Sequence, residues 1–140
     1  MEELVYRQIV EENPQAIILG DTRGIIRLWN AGAEAIFGFT PAEAVGQSMD
    51  LIIPERLRGR HWEGYRRVMA TGKSRYGSGD LLAVPAMTKD GRTISIEFTI
   101  HMVKGQAGEI VGPVATIRDV TKRFQREKEM IRRLKELEAK

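Results

Sequence analysis

Residues 93–103 alternate in character: Ile94, Ile96, Phe98, Ile100 and Met102 fall on one parity, Ser95, Glu97, Thr99 and His101 on the other. A period of two is that of a β-strand, whose side chains point to opposite faces in turn. The segment predicts a strand with one apolar face turned inward and one polar face turned outward. Two shorter apolar runs, 16–19 and 25–29, enclose Gly20-Asp21-Thr22-Arg23-Gly24 and read as a hairpin. Lys89-Asp90-Gly91-Arg92 is a second hairpin turn. It joins the alternating strand to an expected strand over 75–84 that Gly77 and Gly79 weaken. Residues 104–108 turn the chain into a last strand over 109–118.

Helical spacing governs the other stretches. Within 54–72, Leu57, His61, Tyr65 and Val68 recur at three- and four-residue steps and share a face, while Arg58, Glu63, Arg66 and Arg67 are expected to meet water. Pro54 suits the first turn of that helix and Gly72 the residue past its end. Asn30 reads as the N-cap of a helix over 31–37 closed by Gly38. Thr40-Pro41-Ala42-Glu43 is a capping box for a brief helix ended by Gly46. Residues 2–12 form a short helix that Asn13-Pro14 stops. Strands and helices are segregated rather than alternating, which predicts an α+β fold with an antiparallel sheet of five strands.

From Asp119 onward the pattern is helical again. Val120, Phe124, Ile131 and Leu134 make a partial heptad seam, with Met130 and Leu137 beside it and Glu127 interrupting it. A helix projecting from a compact domain cannot bury such a stripe alone. It is expected to dock on a second copy or to continue into another domain.

Composition narrows the function. At 140 residues, 42% of them hydrophobic and 29% charged, the chain has the size and balance of one soluble domain. No apolar run is long enough to span a bilayer and no signal peptide is visible, so a cytoplasmic protein without membrane contact is expected. The absence of cysteine excludes disulfides, thiolate metal sites and cysteine nucleophiles. The pI of 9.4 comes from the tail. Residues 118–140 hold nine Lys/Arg and five Asp/Glu, a net of +4 against +3 for the whole chain, which leaves 1–117 at −1. Both signs interleave along the tail, unlike a basic arm, so nucleic acid is not an expected partner.

Candidate chemistry is sparse. No nucleophile, base and orienting group fall into a motif, and Gly77-Ser78-Gly79 lacks the Lys-Ser/Thr of a phosphate loop, so no enzyme is expected. His61 is the residue placed to bind a metal. It has two readings: a core-edge histidine hydrogen-bonded to a neighbour, or a neutral imidazole facing an apolar cavity and suited to haem iron. Trp29, at a strand end, either stacks on a flat ligand or packs against the helices. Met69, Met87 and Met102 read as axial ligands or as core filler. His101 falls on the polar parity and is expected to be exposed.

The run Trp29-Asn30-Ala31-Gly32-Ala33-Glu34-Ala35-Ile36-Phe37-Gly38-Phe39-Thr40, then Gly46, Pro54-Glu55-Arg56, Lys89-Asp90-Gly91-Arg92 and Arg118-Asp119-Val120-Thr121 resembles the PAS sensory domains over about residues 5–121. The resemblance implies a five-stranded antiparallel sheet with short helices on one face enclosing a small-ligand pocket. It divides the chain into an N-terminal helical cap (1–13), a PAS core (14–119) and a coiled-coil-like signalling and dimerisation helix (120–140). The closing Asp119-x-Thr121 implies a junction that relays the pocket's state.

Within that family Arg60-His61 followed by Tyr65 is similar to the helix of haem-based oxygen-sensor kinases. That likeness implies haem b held by His61, with Trp29, Tyr65, Leu82, Phe98 and Ile100 around it. Asp80 stands where those sensors carry a distal arginine, and residues 81–88 run two residues longer. FAD, another small ligand and no ligand are the alternatives, and a cysteine adduct is excluded. The resemblance implies a homodimer through the N- and C-terminal helices, with a downstream effector as possible partner. A cofactor-free dimerisation domain and a haem protein for gas binding or electron transfer are the competing functions.

Overall fold

The computed structural model describes residues 1–73 and 79–139. Five antiparallel strands, β1 (Ala16–Gly20), β2 (Ile26–Trp29), β3 (Leu82–Met87), β4 (Thr93–Lys104) and β5 (Ile110–Asp119), form one sheet in the order β2-β1-β5-β4-β3. The β1–β2 and β3–β4 hairpins thus occupy the two ends, and β5 runs between β1 and β4. The alternation of β4 sets the register: Phe98 lies opposite Ile117, and Ile100 opposite Ala115, itself opposite Ile18. These residues share the inner face. Among the described residues five helices accompany the sheet: α1 (Glu2–Glu11), α2 (Ala31–Phe37), α3 (Pro41–Ala44), α4 (Glu55–Thr71) and α5 (Thr121–Glu138), with a 3₁₀ turn at Met49–Ile52. Phe37, Ile18 and Ile26 are fully buried, which centres the core between α2 and the β1–β2 end of the sheet.

The expected strand over 75–84 is corrected to Leu82–Met87. Residues 74–78, including Gly77 and Ser78, lie outside the described residues. The strand carries Pro85, which cannot donate to a ladder, and it is the outermost strand, where that donor is dispensable.

Asn30 does more than cap α2. Its Oδ1 accepts from the N–H of Ala33 (2.9 Å) and of Ile17 (2.8 Å), and its Nδ2 donates to the carbonyls of Val10 (2.8 Å), Gln15 (3.0 Å) and Asn13 (3.3 Å). One buried amide therefore joins the end of α1, the approach to β1 and the start of α2. Gly32 follows for a steric reason: a Cβ there would stand 2.2 Å from the Gln15 carbonyl oxygen.

Candidate functional site

Helix α4 begins after Pro54 and ends at Gly72, as its flanking residues dictate. Three polar anchors fix it over the β1–β2 turn and the 3₁₀ segment. Trp62 Nε1 donates to Asp50 Oδ1 at 2.6 Å, the Tyr65 hydroxyl donates to the Asp21 carbonyl, and Arg58 Nε donates to the Ile53 carbonyl at 3.0 Å. Arg58 is therefore half-buried, not on the water-facing side that its spacing implied. The Trp62 ring rests on Gly24, where the backbone has φ +81° and a Cβ would lie 2.1 Å from the indole. Only glycine combines that left-handed turn with so close a contact. Burial, with the Asp21 carboxylate nearby, raises the Tyr65 pKa, so the hydroxyl keeps its proton and its bond.

His61 sits within this aromatic group, its ring centroid 4.7 Å from Trp62 and 5.6 Å from Tyr65. Its Nδ1 is buried without a hydrogen-bond partner. No neighbour is present at that nitrogen among the described residues. Burial lowers the His61 pKa, and the opposing pull of the Asp50 carboxylate is smaller. The imidazole is thus held neutral, the form that ligates a metal.

The same shift has a consequence for stability. A histidine whose folded pKa lies below its ordinary 6.5 takes up its proton more readily when unfolded. Stability is then full above pH 6.5 and falls as the pH drops below that value. Denaturant titrations at stepped pH are expected to show this slope in the native chain and a shallower one in His61→Gln. Equal slopes would mean that the imidazole is not desolvated.

The inner sheet face is unevenly covered. Ile94, Ile96 and Ile117 are buried, yet Leu82, Phe98 and Ile100 on the same face are half-open, and Val84 is 40% exposed. Leu82 lies directly opposite Phe98 in the ladder. The apolar residues at this end of the face are thus only partly covered. No ring contact or hydrogen bond joins His61 to Phe98 among the described residues.

Trp29 is placed elsewhere. It is 4% exposed, its ring packs on Phe37 (5.6 Å) and Phe39 (6.3 Å), and its Nε1 donates to the Phe39 carbonyl. The indole is committed to the core packing that was the alternative to ligand stacking. His101 is exposed, as its parity implied. A cleft of about 490 Å³ between Ala35–Gly38 and the 88–92 turn holds no unpartnered group, since Lys89 pairs with Glu43 and Asp90 with Arg92. Among the described residues no cluster of three or more His, Asp or Glu is arranged to hold a metal ion.

A family described as the PAS fold matches residues 10–125. The chain belongs to this family. The PAS domain is 33% identical over 122 residues to the sensor protein FixL of Bradyrhizobium diazoefficiens, covering 85% of this chain and 23% of FixL. It is 27% identical over 117 residues to the oxygen sensor protein DosP of Escherichia coli, covering 84% of this chain and 14% of DosP. It thus spans less than a quarter of either relative. Among solved structures, the PAS domain of a protein from Colwellia psychrerythraea aligns with a TM-score of 0.74 at 20% identity, covering 87% of this chain and 99% of that one. The PAS domain of BvgS from Bordetella pertussis aligns at 0.66 and 20% identity, over 99% of this chain and 98% of that one. These two share its fold.

In this PAS domain the Asp119–Thr121 junction is stitched to β4. Asp119 Oδ1 accepts from the Thr121 N–H (2.9 Å) and hydroxyl (2.5 Å). Thr121 Oγ1 accepts from the Ser95 N–H (3.0 Å), and the Val120 N–H donates to the Ser95 carbonyl (2.8 Å). Beyond the junction Phe124, Met130, Ile131, Leu134 and Leu137 stand exposed along α5, as do Leu4, Tyr6 and Ile9 on α1. No helix among the described residues is long and apolar enough to cross a membrane.

Proposed function

We propose that this PAS sensory domain binds a flat, largely apolar cofactor between α4 and the open inner face of β3 and β4, and that the cofactor is haem b. The buried, unpartnered, neutral Nδ1 of His61 carries this reading. A free metal ion needs about three or four protein ligands, and no such cluster surrounds His61 among the described residues. A haem brings its own equatorial donors and asks the protein for an axial one. Leu82, Phe98 and Ile100 supply the apolar wall, while Tyr65 and Trp62 act by fixing α4. When bound, the iron would supply a site for a small gas such as oxygen. The likeness to DosP, an oxygen sensor by name, agrees with that use.

The output we infer is a population shift. A change in the hollow biases β4, and Asp119 and Thr121 pass that bias to α5. The exposed stripes on α1 and α5 favour a homodimer through these helices, as an output or as a cofactor-free role in its own right. The much greater length of FixL and DosP supports a downstream effector as partner. Titrating the purified chain with haem and recording the absorption spectrum tests the cofactor. A saturable Soret band at one haem per chain is expected; a spectrum of free haem at every ratio would leave the domain with a colourless ligand or none.

A further inference from the structure

Besides Nδ1 of His61, one side-chain atom among the described residues is buried without a hydrogen bond: Oε2 of Glu97. Glu97 belongs to the outward parity of β4 and should meet water, yet it is 8% exposed. Its other oxygen, Oε1, pairs with the guanidinium of Arg123 in the first turn of α5. Oε2 lies 3.8 Å from Arg118 Nη2, too far for a hydrogen bond. Arg123 also has a second carboxylate within reach, Glu127 one turn along its own helix, at 3.7 Å.

We propose that Glu97 is the residue through which β4 holds the output helix, and that Arg123 exchanges between Glu97 and Glu127 as the root of α5 docks on the sheet or lifts from it. This rests on the reading of α5 as the output. Two features of the site make both arrangements affordable. In the docked state the buried carboxylate is only half satisfied, so it gains solvation on release. In the lifted state Arg123 keeps a partner on its own helix, so no charge is abandoned. Such an element has two discrete positions that a small bias can select.

The bias has a route. Ile96 and Phe98 flank Glu97 in sequence and point to the opposite face of the strand, where Phe98 is half-open and would wall the proposed hollow. Ser95, on the same outward parity as Glu97, bonds Val120 and Thr121. A shift of β4 against α4 therefore moves both attachment points of α5 together. Glu97 acts as a positioning residue and touches no ligand.

The test reads amide hydrogen exchange at Ser95 and Val120 in the full ligand-free chain, because those two amides are protected only while the root is docked. Glu97→Gln is close to isosteric and is expected to speed exchange at both by at least about tenfold, the factor for weakening one hydrogen bond between charged groups, with Ile18 and Ile117 unchanged as a check on folding. Glu127→Gln removes the competing partner and is expected to slow the same amides. A purely structural ion-pair network would give the opposite sign there, because losing an i,i+4 pair loosens the helix. Unchanged exchange in Glu97→Gln, or faster exchange in Glu127→Gln, overturns the proposal. Adding haem to the native chain separates the two readings. If the variants behave as expected but haem leaves Ser95 unmoved, the latch stands and the ligand relay fails.

Discussion

Asn30→Asp is expected to lower the stability of the domain by about 3–5 kcal/mol, the cost of leaving buried polar groups opposed rather than paired. The substitution changes one atom group. Oδ1 continues to accept from Ile17 and Ala33, but an oxygen replaces the Nδ2 that donates to Val10, Asn13 and Gln15. Three carbonyls lose their donor and face a carboxylate, in a site 2% exposed where water does not compensate. Protonation of the new carboxyl restores one of the three bonds at most. Urea denaturation with an unchanged m value measures the loss directly. A loss below about 1 kcal/mol would show that the three segments are held together by something other than this amide.

Replacing His61 by alanine is expected to abolish haem uptake while leaving the fold intact. No hydrogen bond is lost at the buried Nδ1, and the anchors of α4 are Trp62, Tyr65 and Arg58, so the helix keeps its place. Removal of a partner merely behind a metal ligand costs about 10–100-fold in affinity, so loss of the residue that would hold the iron should cost at least about a hundredfold. In His61→Gly, added imidazole is expected to restore the Soret band by filling the vacated position. Circular dichroism of both apo variants should match the native chain. Uptake by His61→Ala at native affinity would remove His61 from the site and with it the cofactor reading.

Much of this was legible in the sequence because local rules dominate where they were applied. The alternation over β4, the capping residues Asn30 and Thr40, and the Pro54 and Gly72 limits of α4 each reflect a backbone requirement met within a few residues. What escaped depends on which distant segment covers a residue. Glu97 obeys the period of its strand, yet it is buried where the root of α5 and Arg118 of β5 meet it. Asn30 announces a cap, but its bonds to Val10, Asn13 and Gln15 depend on how the approach to β1 crosses α2. Trp62 follows His61 directly and so lies off the Leu57-His61-Tyr65-Val68 stripe; its role is set by Gly24 and Asp50. The strand before the second hairpin turn runs on to Met87, past the limit its residues predict, because Pro85 is tolerated where the sheet ends.

The central claim is that His61 and the half-covered face of β3 and β4 border one apolar hollow. NMR of the ligand-free chain under rising xenon pressure probes it, since xenon enters apolar cavities without needing a polar partner. The methyl signals of Leu82 and Ile100 and the ring protons of His61 are expected to shift together and to saturate together, with Ile18 and Ile26 unaffected. Methyl shifts without a response at His61, or no saturable shift at any of the three, would contradict it.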